Sequence, residues 1–255
     1  MHAGPYPRNE FENEIQIIPK LQHANIVKVL GYCTERGHRI LVYEYVRRGS
    51  LHQMIQELKA GVSIAWPLRF GIIEGIAQGV LYLHQHSRLR LVHGDIKPSN
   101  ILLDCDMTPR ITDFGLSEIL SSKEDEKEDV NLKGTLGYLD PEFCATNIIS
   151  TKNDVYGFGV TCLVIISARH AIEANLESDS ERLLSWHAWE LWSSGRAMDL
   201  IDGSLRDDPR MSKILRCLQI ALLCVQQTRV DRPTMSDVLM MLKCESMILP
   251  MPTGV

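Results

Sequence analysis

A chain of 255 residues with 45% hydrophobic content is long enough to bury a substantial core, as one large domain or as two packed lobes. Its net charge of −5 supplies no basic footprint for nucleic acid or for an anionic membrane surface, so no nucleic-acid partner is expected. Seven cysteines with no C-x-x-C pair suit a reducing compartment, with thiols that are buried or incidental and not disulfide-bonded.

Residues 1–9, MHAGPYPRN, lack the apolar core and small-residue cleavage site of a secretory signal. Residues 10–21 place Phe11, Ile15, Ile17, Ile18 and Leu21 on one face, which predicts a helix that carries Glu14 and frays at Pro19 and Lys20. Residues 26–33 and 39–46 are β-rich runs on either side of a connection at 34–38 that contains Gly37, which predicts an antiparallel hairpin. The polar, Gly-containing break at 47–50 is the clearest boundary in the chain and divides residues 1–46 from 47–255. Ser50 is placed to cap a short helix over 51–58. After a turn at Trp66-Pro67, residues 70–84 put Ile73, Ile76, Ala77, Val80, Leu81 and Leu83 on a wide apolar face, as in a buried helix.

The densest chemistry lies at residues 91–115, LVHGDIKPSNILLDCDMTPRITDFG. A short apolar run leads into His93-Gly94-Asp95 and another, at Ile101-Leu102-Leu103, follows, so the polar residues between them form a tight loop braced by strands. Asp95, Asn100 and Asp113 are oxygen-bearing side chains of the kind that hold Mg²⁺ beside phosphate. Lys97 adds a cation for the phosphate itself.

Residues 116–131 are polar and acidic and read as a solvated loop. The longest membrane-like run, 160–168, falls far short of the ~20 residues of a spanning helix and reads as a core helix. Asp154, near its start, favours the helix N-terminus. Residues 183–192 hold three of the four tryptophans in a predicted surface-packed helix. Apolar helices are expected at 214–225 and 234–242, and the tail at 247–255 is expected to be disordered.

The words HGDIKPSN and DFG resemble the catalytic and metal loops of eukaryotic protein kinases, whose pattern is H-R-D-L-x-x-x-N followed by D-F-G. GTLGYLDPE, with Lys97 two residues after Asp95, resembles the plant receptor-like serine/threonine kinase group. The resemblance implies an α+β, two-lobed fold. A helical large lobe would occupy 47–255, and 1–46 would form an incomplete antiparallel small lobe made of the C helix and the last two strands. It implies ATP-dependent transfer of a phosphoryl group to Ser or Thr of a protein substrate, on the cytoplasmic side. Asp95 would accept the substrate hydroxyl proton, Lys97 would neutralise the transferred group, Thr135 would bond toward both, and Asn100 and Asp113 would hold Mg²⁺. Glu14 becomes the C-helix glutamate. Tyr43 becomes the gatekeeper, against the simpler reading of a core aromatic on a half-buried strand. Glu44 and Tyr45 would present backbone groups to adenine, and Leu102 would contact the nucleotide. Asp154 would bond the backbone around His93, and Arg232 would pair with Glu142.

Three departures qualify these expectations. Gly94 stands where many kinases have an arginine that receives activation-loop phosphate, so activity is expected not to depend on phosphate at Ser121 or Ser122. No G-x-G-x-x-G-x-V word and no V-A-I-K lysine occur in these residues, which leaves Glu14 without its partner, the second hairpin strand as an open edge and ATP binding weak or absent. No membrane segment is visible, although a full-length receptor could carry one outside these residues. Two readings therefore stand: a serine/threonine kinase domain, or a truncated kinase homologue that acts as a protein-interaction module.

Overall fold

The computed structural model describes residues 8–120, 126–128, 133–175 and 180–255. Helix α1 (Arg8–Ile17) passes into a 3-10 turn at Ile18–Lys20, because Pro19 cannot supply the N–H that another α-turn needs. Phe11, Ile17, Ile18 and Leu21 bury its apolar face. Strands β1 (Val29–Glu35) and β2 (His38–Tyr43) pair antiparallel, with Glu35 opposite His38. Their turn is only Arg36-Gly37, both at positive φ (50° and 83°), the twist a two-residue hairpin requires. This turn is tighter than the 34–38 connection expected, because Thr34, Glu35 and His38 join the ladder. Among the described residues this sheet has two strands. Leu30, Ile40 and Val42 stand on it 67%, 54% and 47% exposed.

Helix α2 (Leu51–Lys59) begins at Ser50, whose hydroxyl accepts from Gln53 N while the Gln53 side chain accepts from Ser50 N; this reciprocal pair satisfies two end donors. Helix α3 (Trp66–Leu81) starts earlier than expected. Trp66-Pro67 is its first turn and not a preceding loop, because proline is tolerated where a helix has no acceptor for its N–H. A π-turn at Tyr82–His86 then feeds the loop that follows. That loop is framed by β3 (Leu91–Val92) paired with β6 (Glu118–Ile119), and by β4 (Ile101–Leu103) paired with β5 (Pro109–Ile111). Strand β7 (Glu126–Glu128) pairs with β8 (Ile148–Ser150), just after the short helix α4 (Pro141–Thr146).

Helix α5 (Thr151–Ser167) is buried at every position from Asp154 to Ser167, as expected of a helix that is apolar all round. Gly157 lets the loop approach it closely: a Cβ there would lie 2.8 Å from the Ile96 carbonyl oxygen. Strands β9 (Ile172–Asn175) and β10 (Ser180–Leu183) form a further hairpin. Helices α6 (Leu184–Ser193), α7 (Met211–Cys224) and α8 (Met235–Lys243) complete the chain. Helices α3, α5, α7 and α8 share one continuous core.

Two expectations are corrected here. The tail is ordered: Leu249 is buried, and Thr253 donates its N–H and hydroxyl to Gln226 Oε1 at 3.1 and 2.6 Å. Apolar burial and a satisfied backbone offset the ordering entropy that composition alone leaves unopposed. Arg232, 2% exposed, pairs with Asp140 and not with Glu142: its two Nη atoms donate to the two Asp140 oxygens at 2.6 and 2.7 Å. Asp140 caps α4 and faces inward, whereas Glu142 lies on the helix's first turn and reaches Arg229 at 3.4 Å.

Candidate active site

Asp154 organises the loop at 93–100. It is buried at the start of α5 and accepts from His93 N, Gly94 N and His84 Nε2, each at 2.8 Å. Burial alone would push its carboxyl up. The hydrogen bond and charge of His84, then the charge and N–H of His93, outweigh this and hold it below the usual carboxylate range. The His93 ring packs edge-on against Phe114 at 4.9 Å and donates from Nε2 to the Thr112 carbonyl at 3.1 Å. Gly94 adopts φ +79°, where a Cβ would meet the Leu116 carbonyl oxygen at 3.0 Å. Glycine suits this backbone, and an arginine would be strained in it.

The loop gathers Asp95, Lys97, Asn100 and Thr135 within direct contact. Lys97 Nζ donates to Asp95 Oδ2 at 2.6 Å and to Thr135 Oγ1 at 2.5 Å. The Thr135 hydroxyl in turn donates to Asp95 Oδ1 at 2.7 Å. Asn100 Nδ2 lies 3.0 Å from both the Asp95 carbonyl and Asp95 Oδ2. These contacts fix the Asp95 carboxylate and set an ammonium beside it, an arrangement suited to receiving a proton from a hydroxyl and balancing an incoming anion.

Asn100 uses its amide nitrogen on Asp95, and its carbonyl oxygen lies 3.5 Å from the Ser99 hydroxyl. Asp113 holds φ +68°, and among the described residues its carboxylate has no hydrogen bond or ion pair. The Asp113 carboxylate and the Asn100 amide oxygen, on adjoining loops, fit a hard divalent cation that takes its other ligands from water and phosphate. No group of three or more His, Cys, Asp or Glu able to hold a metal occurs among the described residues, so any cation here depends on the amide oxygen.

Helix α1 is fastened to the Asp113-Phe114-Gly115 segment. Asn13 Nδ2 reaches the carbonyls of Phe114, Gly115 and Ser117 at 3.2, 3.1 and 2.7 Å. Glu14, fully buried, accepts the Phe114 N–H through Oε1 and the Tyr43 hydroxyl through Oε2. Tyr43 is thus half-buried on β2, with its polar tip bound to the helix. Nearby, Glu44 donates its N–H to the Lys28 carbonyl at 2.9 Å, and its side chain takes Arg110 at 3.2 Å. Tyr45 is 85% exposed, and Leu102 lies half-buried on β4. Sequence reading missed Asn13 and Ser117, whose hydroxyl donates to the His93 carbonyl at 3.1 Å; no pattern in the chain marks either. In the acidic segment, Glu126 pairs with Arg229 at 3.1 Å and Lys127 with Glu118 at 2.7 Å. Ser121 and Ser122 lie outside the described residues.

The protein kinase domain family matches residues 4–241. The chain belongs to that family. It is 45% identical over 243 residues to cysteine-rich receptor-like protein kinase 7 of Arabidopsis thaliana, covering 95% of this chain and 37% of that protein. It is 43% identical over 244 residues to G-type lectin S-receptor-like serine/threonine-protein kinase B120 of the same plant, covering 96% of this chain and 28% of that protein. The kinase domain therefore spans well under half the length of these curated relatives. No helix of the described residues is long and apolar enough to cross a membrane.

Proposed function

We propose that this kinase domain transfers the γ-phosphoryl group of ATP to Ser or Thr hydroxyls of proteins, on the cytoplasmic side of a larger receptor-like protein. The observation that carries this reading is the closed Asp95–Lys97–Thr135 contact set. Asp95 Oδ1 accepts the acceptor hydroxyl proton as that oxygen bonds to phosphorus and the bond to the ADP oxygen breaks. The Lys97 ammonium faces the transferred oxygens. Thr135 occupies the space beside Asp95 and favours a short aliphatic hydroxyl over a phenol. Asn100 and Asp113 would hold a Mg²⁺ ion, which when bound would supply charge neutralisation at the phosphates. Residues 1–46 act as the remainder of a small lobe whose Glu14 is held by Tyr43 and Phe114, with Glu44, Tyr45 and Leu102 bordering the nucleotide.

The test uses an extended chain, in which the Gly-rich loop and strand lysine of a relative are fused ahead of residue 1. It is expected to label Ser and Thr peptides from γ-labelled ATP, and the matching Tyr peptide far less. A Tyr preference would overturn the acceptor assignment. The exposed Leu30, Ile40 and Val42 favour one second reading, a protein-interaction module that offers this apolar sheet face. A folded extended chain that binds ATP and transfers nothing supports it.

A further inference from the structure

Beside the acceptor-side residues lies a cavity of about 340 Å³, bounded by Lys97 and Thr135 at one end and by His52 and His170 at the other. None of its lining residues is a carboxylate, although the chain as a whole carries 32 Asp and Glu against 27 Lys and Arg. Leu136, 70% exposed, and Ile172 give it an apolar shelf. The two histidines come from different elements, α2 and the segment after α5, and their rings stack at 6.4 Å with 30° between planes. The Gln56 amide nitrogen lies 3.0 Å from His52 Nε2, which makes that nitrogen the acceptor and leaves Nδ1–H to donate. Partial desolvation, then the charges of Lys59 and His52, hold His170 below the ordinary histidine range, with Glu173 acting the other way. Glu173 is itself engaged by Arg169 at 3.6 Å, and Lys97 is engaged by Asp95.

We infer that this groove selects acidic peptides: a segment with an Asp or Glu close to its Ser or Thr, the carboxylate seated against His52 and His170 within the field of Lys59, and an apolar neighbour on Leu136 and Ile172. Calling that peptide a substrate rests on the phosphoryl-transfer reading; its binding does not. A peptide carboxylate stays ionised well above pH 5, while His170, held below the ordinary histidine range, gains its proton only under acidic conditions. The preference therefore strengthens on acidification.

The experiment measures fluorescence anisotropy of labelled short peptides with residues 1–255, without nucleotide. A central Ser is flanked by Glu at each position in turn and compared with Gln and Lys counterparts. For at least one position the Glu peptide is expected to bind about fivefold to tenfold more tightly than the Gln peptide at about pH 5.5, and the gap is expected to narrow at about pH 8. In the protein carrying His52→Gln and His170→Gln, the pH dependence disappears and Gln-peptide affinity stays the same. If that protein melts early, the single variant at exposed His170 carries the test. Equal binding of the three peptides, no binding, or an acid preference that survives loss of both rings overturns the inference. Acid-selective binding by residues 1–255, together with an extended chain that binds ATP and transfers no phosphate, would overturn the phosphoryl-transfer reading alone.

Discussion

Replacing Asp140 with alanine is expected to cost about 3–5 kcal/mol of stability, the typical penalty for removing one partner of a buried ion pair. Arg232 and Asp140 have side chains 0% and 2% exposed, and the guanidinium also donates to the Gln226 and Gln227 carbonyls at 2.7 and 3.0 Å. Without Asp140 the positive charge stays buried, held only by neutral carbonyls and the face of the Tyr156 ring 5.1 Å away. Asp140 also accepts from Glu142 N at 2.9 Å as the α4 cap, and the two roles separate cleanly. Asparagine caps about as well as aspartate, so Asp140→Asn should cost nearly as much as Asp140→Ala. Glu142, partly exposed and paired with Arg229 at 3.4 Å, should cost only about 1 kcal/mol when truncated. Urea unfolding of the three variants measures this. Equal losses for Glu142→Ala and Asp140→Ala would return the main pairing to Glu142.

Asp95→Asn in the extended chain is expected to slow phosphoryl transfer by about 10²–10⁴-fold, the usual contribution of a positioned general base. Asparagine fills the same space, its single oxygen can still accept from Lys97 and Asn100, and its NH2 can donate to the Thr135 hydroxyl oxygen, so melting and peptide affinity should change little. The loss belongs in the maximal rate, because the proton acceptor matters only as the hydroxyl attacks. A variant that keeps the parental rate would remove Asp95 from the chemistry. One that unfolds would show instead that the contacts of Asp95 with Lys97, Thr135 and Asn100 are chiefly structural.

The candidate site residues were legible because they sit close together in sequence. Asp95, Lys97 and Asn100 share one loop, and short apolar runs on both sides announce the strands that brace it. Thr135 and Asp154, although distant, were named through the motif, and Thr135 donates to Asp95 while Asp154 accepts from His93 N. The partners that failed or went unseen depend on choices that no local pattern encodes. DPE offers two carboxylates two residues apart, and only the packed interior decides that the shorter one, at the cap, meets Arg232. Asn13 lies on a helix whose apolar face was clear, yet its three carbonyl partners sit about a hundred residues away. The Tyr43–Glu14 bond likewise joins a strand to a helix through atoms that residue type alone does not aim. At the other end of the chain, the polar and Pro-containing tail read as disordered because its acceptor, Gln226, is invisible from the tail itself.

Residues 1–255 offer candidates for the metal and acceptor side of a phosphoryl-transfer site, and no G-x-G-x-x-G-x-V or V-A-I-K word to grip the nucleotide occurs among them. Calorimetric titration of Mg-ATP into residues 1–255 and into the extended chain tests this most directly. Affinity no better than millimolar for the first, and sub-millimolar affinity for the second that weakens on Asp113→Ala, is the predicted result. Sub-millimolar binding by residues 1–255, or an extended chain indifferent to Asp113→Ala, would contradict it.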